Sequence, residues 1–308
     1  MILITGGAGL IGSTLAKSLL QKGEDVIICD TFSTKKKWEN VKDLKDAIFV
    51  DPDNLNQIIE QYIHAIPNEK RLQKVFHFAA YTVPTESDYL GFVKNNIGLS
   101  RQLLNICKNN KIDFFYASSS ATYGSGELGF SDKLTIEELK EINIENPYAW
   151  SKQQFDFEAS RFFEKTESRI VGFKFFNTYG DNESHKLRTD SASVPYRFKQ
   201  AILKNEDVVI FTDPLKRHAP GHQQRDFIKV DDAITLVQKV AFDSNFNGLI
   251  NIGSGRPISF VDLFNSLKEN HPNSTSKVVF KEMTIEQAEQ YQFFTCAKLD
   301  NLKDLKII

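Results

Sequence analysis

Cysteine is scarce. The 308 residues contain three, Cys29, Cys107 and Cys296, scattered along the chain, and none falls in a CxxC pair. A disulfide framework therefore has no basis, and the thiols are read as reduced, in a cytoplasmic compartment. Neither sign of charge dominates: 38 Lys and Arg against 40 Asp and Glu leave a net charge of −2, which argues against nucleic acid as the main partner. No apolar run approaches the ~20 residues needed to span a bilayer, so no membrane partner is expected. The N-terminal "MILITGGAGLIGS" is apolar, but glycines interrupt it at once and no basic stretch precedes it; it reads as a strand and a turn rather than a signal peptide. His218 and His222 stand four apart, but Pro220 and Gly221 between them break any helix, and no metal site is expected.

The chain does carry an alternation of short apolar runs with longer helical patterns, in a composition 41% hydrophobic and 25% charged. Strands are predicted at "MILIT", "DVIICD", "KVFHFAA", "DFFYASSS" and "RIVGFKFFN". Helices are predicted at "LIGSTLAKSLLQKG", "NLNQIIEQYIHAI", "YLGFVKNNIGLSRQLLNICKNN" and "NPYAWSKQQFDFEASRFFE". Continuous apolar strands separated by helices imply an α/β fold, a Rossmann-like doubly wound parallel sheet. After Asn177 the rhythm breaks into two polar loops, "TYGDNESHKLRTDSAS" and "TDPLKRHAPGHQQ", with returns to the sheet expected at "RDFIKV" and "GLINIG". This organisation assigns residues 1–176 plus about 226–252 to a dinucleotide-binding domain. Residues 177–225 plus 253–308 form a smaller substrate-binding portion.

Two stretches carry chemistry. In "ITGGAGLIGS", Gly6, Gly9 and Gly12 follow a strand and open a helix, the context in which glycines let backbone approach a pyrophosphate held at a helix N-terminus. About 20 residues on, Asp30 ends the second strand, placed for a ribose hydroxyl. Lys35, Lys36 and Lys37 beyond it are either a solvated loop or readers of a 2′-phosphate. Asp53 and Asn54 either hold an adenine or cap a helix. In "NPYAWSK", Asn146 and Pro147 start a helix, which puts Tyr148 and Lys152 on one face, one turn apart. A phenol titrates near ~10; bringing it to about 7 takes roughly 4 kcal/mol, which a nearby ammonium and a cationic cofactor ring together can supply. Alone, however, Tyr-x-x-x-Lys is better explained as an ordinary amphipathic helix. Ser119, at the carboxyl end of its strand, either bonds a substrate hydroxyl beside Tyr148 or is a solvated strand end.

The ordered set "GGAGLIG", Asp30, "HFAA", "NNIG", "SSSATYG", "NPYAWSK", "FNTYG" and "RDFIKVDD" resembles the extended short-chain dehydrogenase/reductase superfamily, the nucleotide-sugar epimerases and dehydratases. Within it, "FFYASSSATYGSG", "IVGFKFFNTYG" followed by "SHK", "SASV", "INIGSGRPISF" and "YQFFTCAKLDNLK" resemble the ADP-glyceromanno-heptose 6-epimerases. The resemblance implies an NAD(P)-dependent epimerase that oxidises its sugar transiently, with NADP as cofactor and NAD as the close alternative. It makes Tyr148 the acid/base, Lys152 its partner and Ser119 the group that orients the hydroxyl. Lys186 becomes either a second acid/base or a loop lysine that binds phosphate. Cofactor contacts are implied at Gly6, Gly9, Leu10, Ile11, Gly12, Asp30, Thr31 and Lys37. Further contacts are implied at Asp53, Asn54, Phe78, Ala79, Ala80, Asn96, Tyr148 and Lys152. The nucleotide-sugar is implied to touch Ser119, Asn177, Lys186, Arg225 and Tyr291, with Arg225 on the diphosphate.

The chain departs from that pattern in three places, one of them its end at "LDNLKDLKII" without the terminal helix that the resemblance leads one to expect. The step from Lys186 to "SASV" is two residues longer, and the loop "TDPLKRHAPGHQQRD" is longer with different polar groups. A 4,6-dehydratase would carry an acid after the active-site hydroxyl residue, where this chain has Ser120. Two alternatives accompany the main reading: a UDP- or GDP-sugar 4-epimerase or dehydrogenase of the same superfamily, and a non-catalytic dinucleotide-binding regulator. A homo-oligomer is expected through the helices at about 88–109 and 147–164, where Phe92, Phe155, Phe162 and Phe163 exceed the needs of one core-facing stripe.

Overall fold

Four-residue runs with no polar face, such as Ile2–Thr5 and Val26–Cys29, are buried along their whole length, as strands covered on both faces must be. A computed structural model describes residues 1–65, 67–82, 89–144, 146–189, 191–289 and 291–308. The first half runs β1 (Ile2–Thr5), α1 (Leu10–Gln21), β2 (Val26–Cys29), α2 (Lys35–Glu39), β3 (Ile48–Val50), α3 (Leu55–Ile63) and β4 (Lys74–His77). Then come α4 (Tyr89–Phe92), a π-helical turn at Val93–Gly98, α5 (Leu99–Asn109), β5 (Asp113–Ser119), α6 (Ile136–Lys140), α7 (Pro147–Ser160) and β6 (Ile170–Phe175). The remainder is β7 (Thr178–Tyr179), a 3-10 segment at Asp181–Thr189, α8 (Val194–Leu203), β8 (Val208–Thr212), β9 (Gln224–Arg225), β10 (Ile228–Lys229) and α9 (Val230–Asp243). It closes with β11 (Gly248–Ile252), β12 (Ile258–Ser259), α10 (Phe260–Glu269), β13 (Val278–Glu282), α11 (Ile285–Glu289) and α12 (Asp300–Asp304). Predicted segments that reach Ile66, Asp88 and Asp190 extend there beyond the described residues.

Seven parallel strands form the central sheet, in the order β11-β6-β5-β4-β1-β2-β3. Strand order reverses between β1 and β4, and a crevice at such a switch point is where doubly wound sheets bind ligands. The main core lies on this sheet. A second cluster, with Phe198, Ile202, Ile210, Phe227, Phe260 and Phe264, sits among α8, β8 and α10. Ala297, Leu299 and Leu302 return to the sheet's core rather than to the second cluster. Cys29 and Cys107 are buried as the sequence implies, and burial pushes the Cys29 thiol up to about 12.

Three expectations need correction. "RDFIKV" does not rejoin the main sheet: β9 pairs with β12 and β10 with β7, each as a two-stranded piece. The cause is Asp226 between them, a fully buried carboxylate that accepts from Ser254 N, Ser254 Oγ, Gly255 N and Ala297 N at 2.6–3.0 Å. "DNESHKLRT", expected as loop, is 3-10 helical. The single helix expected from Tyr89 is interrupted by the π-turn that carries Asn96.

Candidate active site

Asn146 caps α7, its side chain accepting from Ala149 N at 2.8 Å, with Pro147 in the first turn. Tyr148 and Lys152 therefore share a face. Lys152 is 4% exposed, and its ammonium donates to Ala117 O at 2.8 Å. That bond holds its Nζ 6.0 Å from the centroid of the Tyr148 ring. Ser119 at the end of β5 hydrogen-bonds with Tyr148. Burial pushes the Tyr148 phenol up while Ser119 pulls it down. Burial pushes Lys152 down to about 8, against the pull of Asp156. The chain alone thus keeps the phenol protonated, and ionising it requires positive charge brought by a ligand.

Behind this face lies a network the sequence did not reveal. Asp156, one turn beyond Lys152 on α7, accepts from Tyr116 OH at 3.0 Å, Ser118 Oγ at 2.7 Å and Lys174 Nζ at 2.9 Å. Lys174 also donates to Thr122. Both members of the ion pair are 1% exposed, so α7, β5 and β6 are tied together directly beneath Ser119. Removing one partner of such a pair strands a buried charge. Lys174→Met is expected to cost about 3–5 kcal/mol of stability, measured by urea unfolding; a loss below about 1 kcal/mol would mean Asp156 is simply protonated.

The dinucleotide crevice can be tested for fit on the glycine turn. A Cβ on Gly6, whose φ is +68°, would lie 2.6 Å from Ala79 N, and one on Gly12 would lie 2.3 Å from Gly6 O. Packing of the chain on itself requires both glycines. A Cβ on Gly9 would meet only Gly6 O, at 3.2 Å, and otherwise faces open space. No side chain caps α1 there, so the first-turn amides of Leu10, Ile11 and Gly12 point into that space, as a pyrophosphate needs.

Asp30 is 6% exposed and takes Ala8 N at 3.0 Å, Thr31 N at 2.7 Å and Lys37 Nζ at 2.7 Å. A carboxylate has about four acceptor positions; the fourth is taken by Thr31 Oγ1 at 3.3 Å, the longest of the set and the one a ribose hydroxyl would displace. Phe78, Ala79 and Ala80 follow β4 beside Gly6, with Phe78 N and Ala79 N donating to the backbone and hydroxyl of Thr5. The Asn96 amide bonds Tyr81 N, Tyr81 O and Ser151 Oγ; it fastens the loop after β4 to α7. At Asp53 and Asn54 the capping residue is Asp51, which accepts from both backbone amides and from the Asn54 side chain. Asp53 and Asn54 themselves are exposed. His77 is buried between Thr5 and Ser100, pushed down to about 3 by burial, and serves packing rather than proton transfer.

On the substrate side, Ser119 registers with Phe175, so Asn177 lies two residues further along the same sheet edge. Asn177, Thr178, Glu183, Lys186, Ser193 and Phe227 line a cleft of about 310 Å³. Burial pushes the Lys186 ammonium down against the pull of Glu183. Glu183 is itself fully buried and bonded to Gly180 N, Ser193 N and Ser193 Oγ. Arg225 and Tyr291 come together: the guanidinium lies 5.2 Å from the Tyr291 ring and bonds the phenol. Arg225 is 8% exposed, and no carboxylate faces it among the described residues, an arrangement suited to an anion. A larger cleft of about 410 Å³ lies between α1 and α9, away from the strand ends, around Leu19, Gln238 and Phe242.

Comparison with known proteins gives the family and the fold. The chain is 34% identical over 312 residues to ADP-L-glycero-D-manno-heptose-6-epimerase of Fusobacterium nucleatum, spanning 99% of this chain and 92% of that one. It is 32% identical to the enzyme of the same name from Brachyspira hyodysenteriae over 98% of this chain and 91% of that one. Among solved structures, UDP-N-acetylglucosamine 4-epimerase from Methanobrevibacter ruminantium, in complex with UDP-N-acetylmuramic acid, superposes with a TM-score of 0.79 at 26% identity, over 99% of this chain and 91% of that one. The fold is also that of the Helicobacter pylori ADP-L-glycero-D-manno-heptose-6-epimerase, at a TM-score of 0.77 and 24% identity over 99% and 89% of the two chains. The model of the NAD dependent epimerase/dehydratase family matches residues 2–253, and the chain belongs to that family.

Proposed function

We propose that the chain is a nucleotide-sugar epimerase acting by transient oxidation, of the ADP-glyceromanno-heptose 6-epimerase kind. The observation that carries this reading is the single sheet edge that holds Ser119, Tyr148 and Lys152 at the end of β5 and the glycine turn at the end of β1, with Asn177 two residues past β6 and the Lys186 cleft lined by it. Residues 1–176 plus about 226–252 hold the dinucleotide; residues 177–225 plus 253–308 supply the substrate side, with the last turn packed back on the sheet. The first-turn amides of α1 and Asp30 would hold a dinucleotide, which when bound would supply a hydride acceptor for the sugar carbon and the same hydride for its re-reduction. Tyr148 removes the hydroxyl proton, Ser119 orients that hydroxyl, and Lys152 stabilises the phenolate. Arg225 and Tyr291 receive the diphosphate. The carbonyl intermediate turns within the site, so that hydride returns to the other face of its carbon while its oxygen takes a proton from Lys186. A panel of ADP-, GDP- and UDP-sugars followed by NMR tests the reading: ADP-heptose should epimerise faster than any UDP-sugar. The alternative, a 4-epimerase, draws on the 26% identity to the UDP-N-acetylglucosamine enzyme, and faster turnover of a UDP-hexose would establish it.

The finer cofactor assignment is NADP. Lys37 neutralises Asp30, so the carboxylate need not repel a 2′-phosphate. Lys37→Ala is expected to weaken NADPH about tenfold, the scale of one charge-assisted bond, and NADH much less; equal losses in a binding titration would return Lys37 to a surface role. The chain is also read as a homo-oligomer. Phe92 and Phe155 are buried within the protomer, but Tyr89, Leu90, Val93 and Trp150 lie exposed on α4, the π-turn and α7. Light scattering at micromolar concentration should give at least a dimer mass, and a monomer would contradict this.

A further inference from the structure

We infer that Asn40 is a positioning residue for the second proton donor: it fixes the segment that carries Lys186 against the glycine turn of the dinucleotide crevice. The inference rests on the reading of Lys186 given above and deepens it. Asn40 follows α2 directly. Asparagine is favoured at a helix end chiefly where the backbone turns left-handed. Here φ is −70° and ψ is −22°, so the backbone has no need of it. The side chain is spent elsewhere. Its amide nitrogen carries two hydrogens and gives one to Ala8 O at 2.9 Å and the other to Asn182 O at 3.1 Å. One group thus joins the turn between Gly6 and Gly9 to the start of the Asp181–Thr189 segment.

Both ends of that link are held. Ala8 N donates to Asp30 at 3.0 Å, so Ala8 is bracketed by Asp30 on its N–H and by Asn40 on its carbonyl. Asn182 Nδ2 donates to Ser13 Oγ at 2.9 Å, which ties the segment to α1 as well. Beyond Asn182, the buried carboxylate of Glu183 binds Gly180 N, Ser193 N and Ser193 Oγ and fastens the segment to the start of α8. Lys186 follows three residues later and lines the substrate cleft with Asn177, Glu183 and Phe227. The need for these ties follows from where the groups come from. Lys186 belongs to the substrate side, whereas the glycine turn is where a dinucleotide would be held. Proton and hydride must reach one carbonyl in register, and a misplacement of about 1 Å can cost roughly 100-fold in rate. Asn40 and Asn182 set that register from the cofactor side, and Glu183 sets it from the substrate side.

The test is a double-mutant cycle in the full chain, with epimerisation of ADP-glyceromanno-heptose followed by NMR. Asn40→Ala should lower kcat about tenfold or more, while KM for the sugar nucleotide and affinity for NADPH stay within about threefold. Added to Lys186→Met, Asn40→Ala should lower the residual kcat less than about twofold, because the group it positions is gone. A merely structural contribution would multiply the two losses. Asn182→Ala breaks the tie to Ser13 and keeps the carbonyl that Asn40 uses. It should show a smaller loss with the same dependence on Lys186, and it carries the test if Asn40→Ala does not fold. Unchanged kcat in Asn40→Ala, losses that multiply, or a loss that appears in NADPH affinity instead would overturn the inference and leave the epimerase reading intact. Unchanged kcat in Lys186→Met would remove the role of Lys186 and the inference with it. No turnover of this sugar nucleotide by the unaltered protein would overturn the 6-epimerase reading itself.

Discussion

Tyr148→Phe is expected to lower kcat by about 1000-fold, within the range for losing a general acid/base, while dinucleotide affinity stays within about twofold of the original. The substitution keeps the ring and removes only the hydroxyl that Ser119 bonds. On the proposed reading the cofactor is held elsewhere, by the amides of α1 and by Asp30. The pH dependence follows from Lys152. Burial pushes its ammonium down to about 8 in the free chain; below that pH it carries the charge that stabilises a phenolate, and above it the charge is lost. The kcat/KM of the unaltered protein should therefore decline above about pH 8. Near-native turnover of Tyr148→Phe would remove Tyr148 from the chemistry.

Lys186→Met should lower kcat by roughly 100-fold or more with little change in cofactor affinity. A carbon inside a sugar ring can be epimerised with one acid/base, because the flat ketone turns over within the site. A carbon outside the ring presents its oxygen differently from the two faces, and a second proton donor becomes useful. An amine serves only if its pKa falls from ~10.4, and burial acts on Lys186 in that direction, with Glu183 limiting the shift. If the variant raised KM and left kcat intact, Lys186 would be a uniform binding group, and the ring-carbon 4-epimerase reading would move ahead.

Most of the sheet could be read from the sequence because its strands are apolar on both faces and its helices are periodic. The cap at Asn146 and the pair Tyr148–Lys152 could be read because local rules fix them. The features that escaped depend on tertiary partners. Lys174 sits in an apolar strand, and its ion pair with Asp156 on α7 explains a lysine there. Asp226 diverts "RDFIKV" through amides about 30 and 70 residues away. The π-turn at Asn96 has no periodic signature of its own. The polar segment at Asp181–Thr189 lacks an apolar stripe, so it reads as loop although its backbone is helical. Asn40 gave no signal, because the carbonyls that use its amide lie 32 and 142 residues away.

The central claim is that the sugar carbon is oxidised and reduced at one site, without exchange of its carbon-bound hydrogen. ADP-glyceromanno-heptose carrying deuterium at carbon 6, incubated with the protein in ordinary water and followed by NMR, tests it most directly. The account predicts conversion to the other 6-epimer with the deuterium retained on that carbon. Conversion with loss of deuterium to solvent, or no conversion while a UDP-hexose is epimerised, would contradict it.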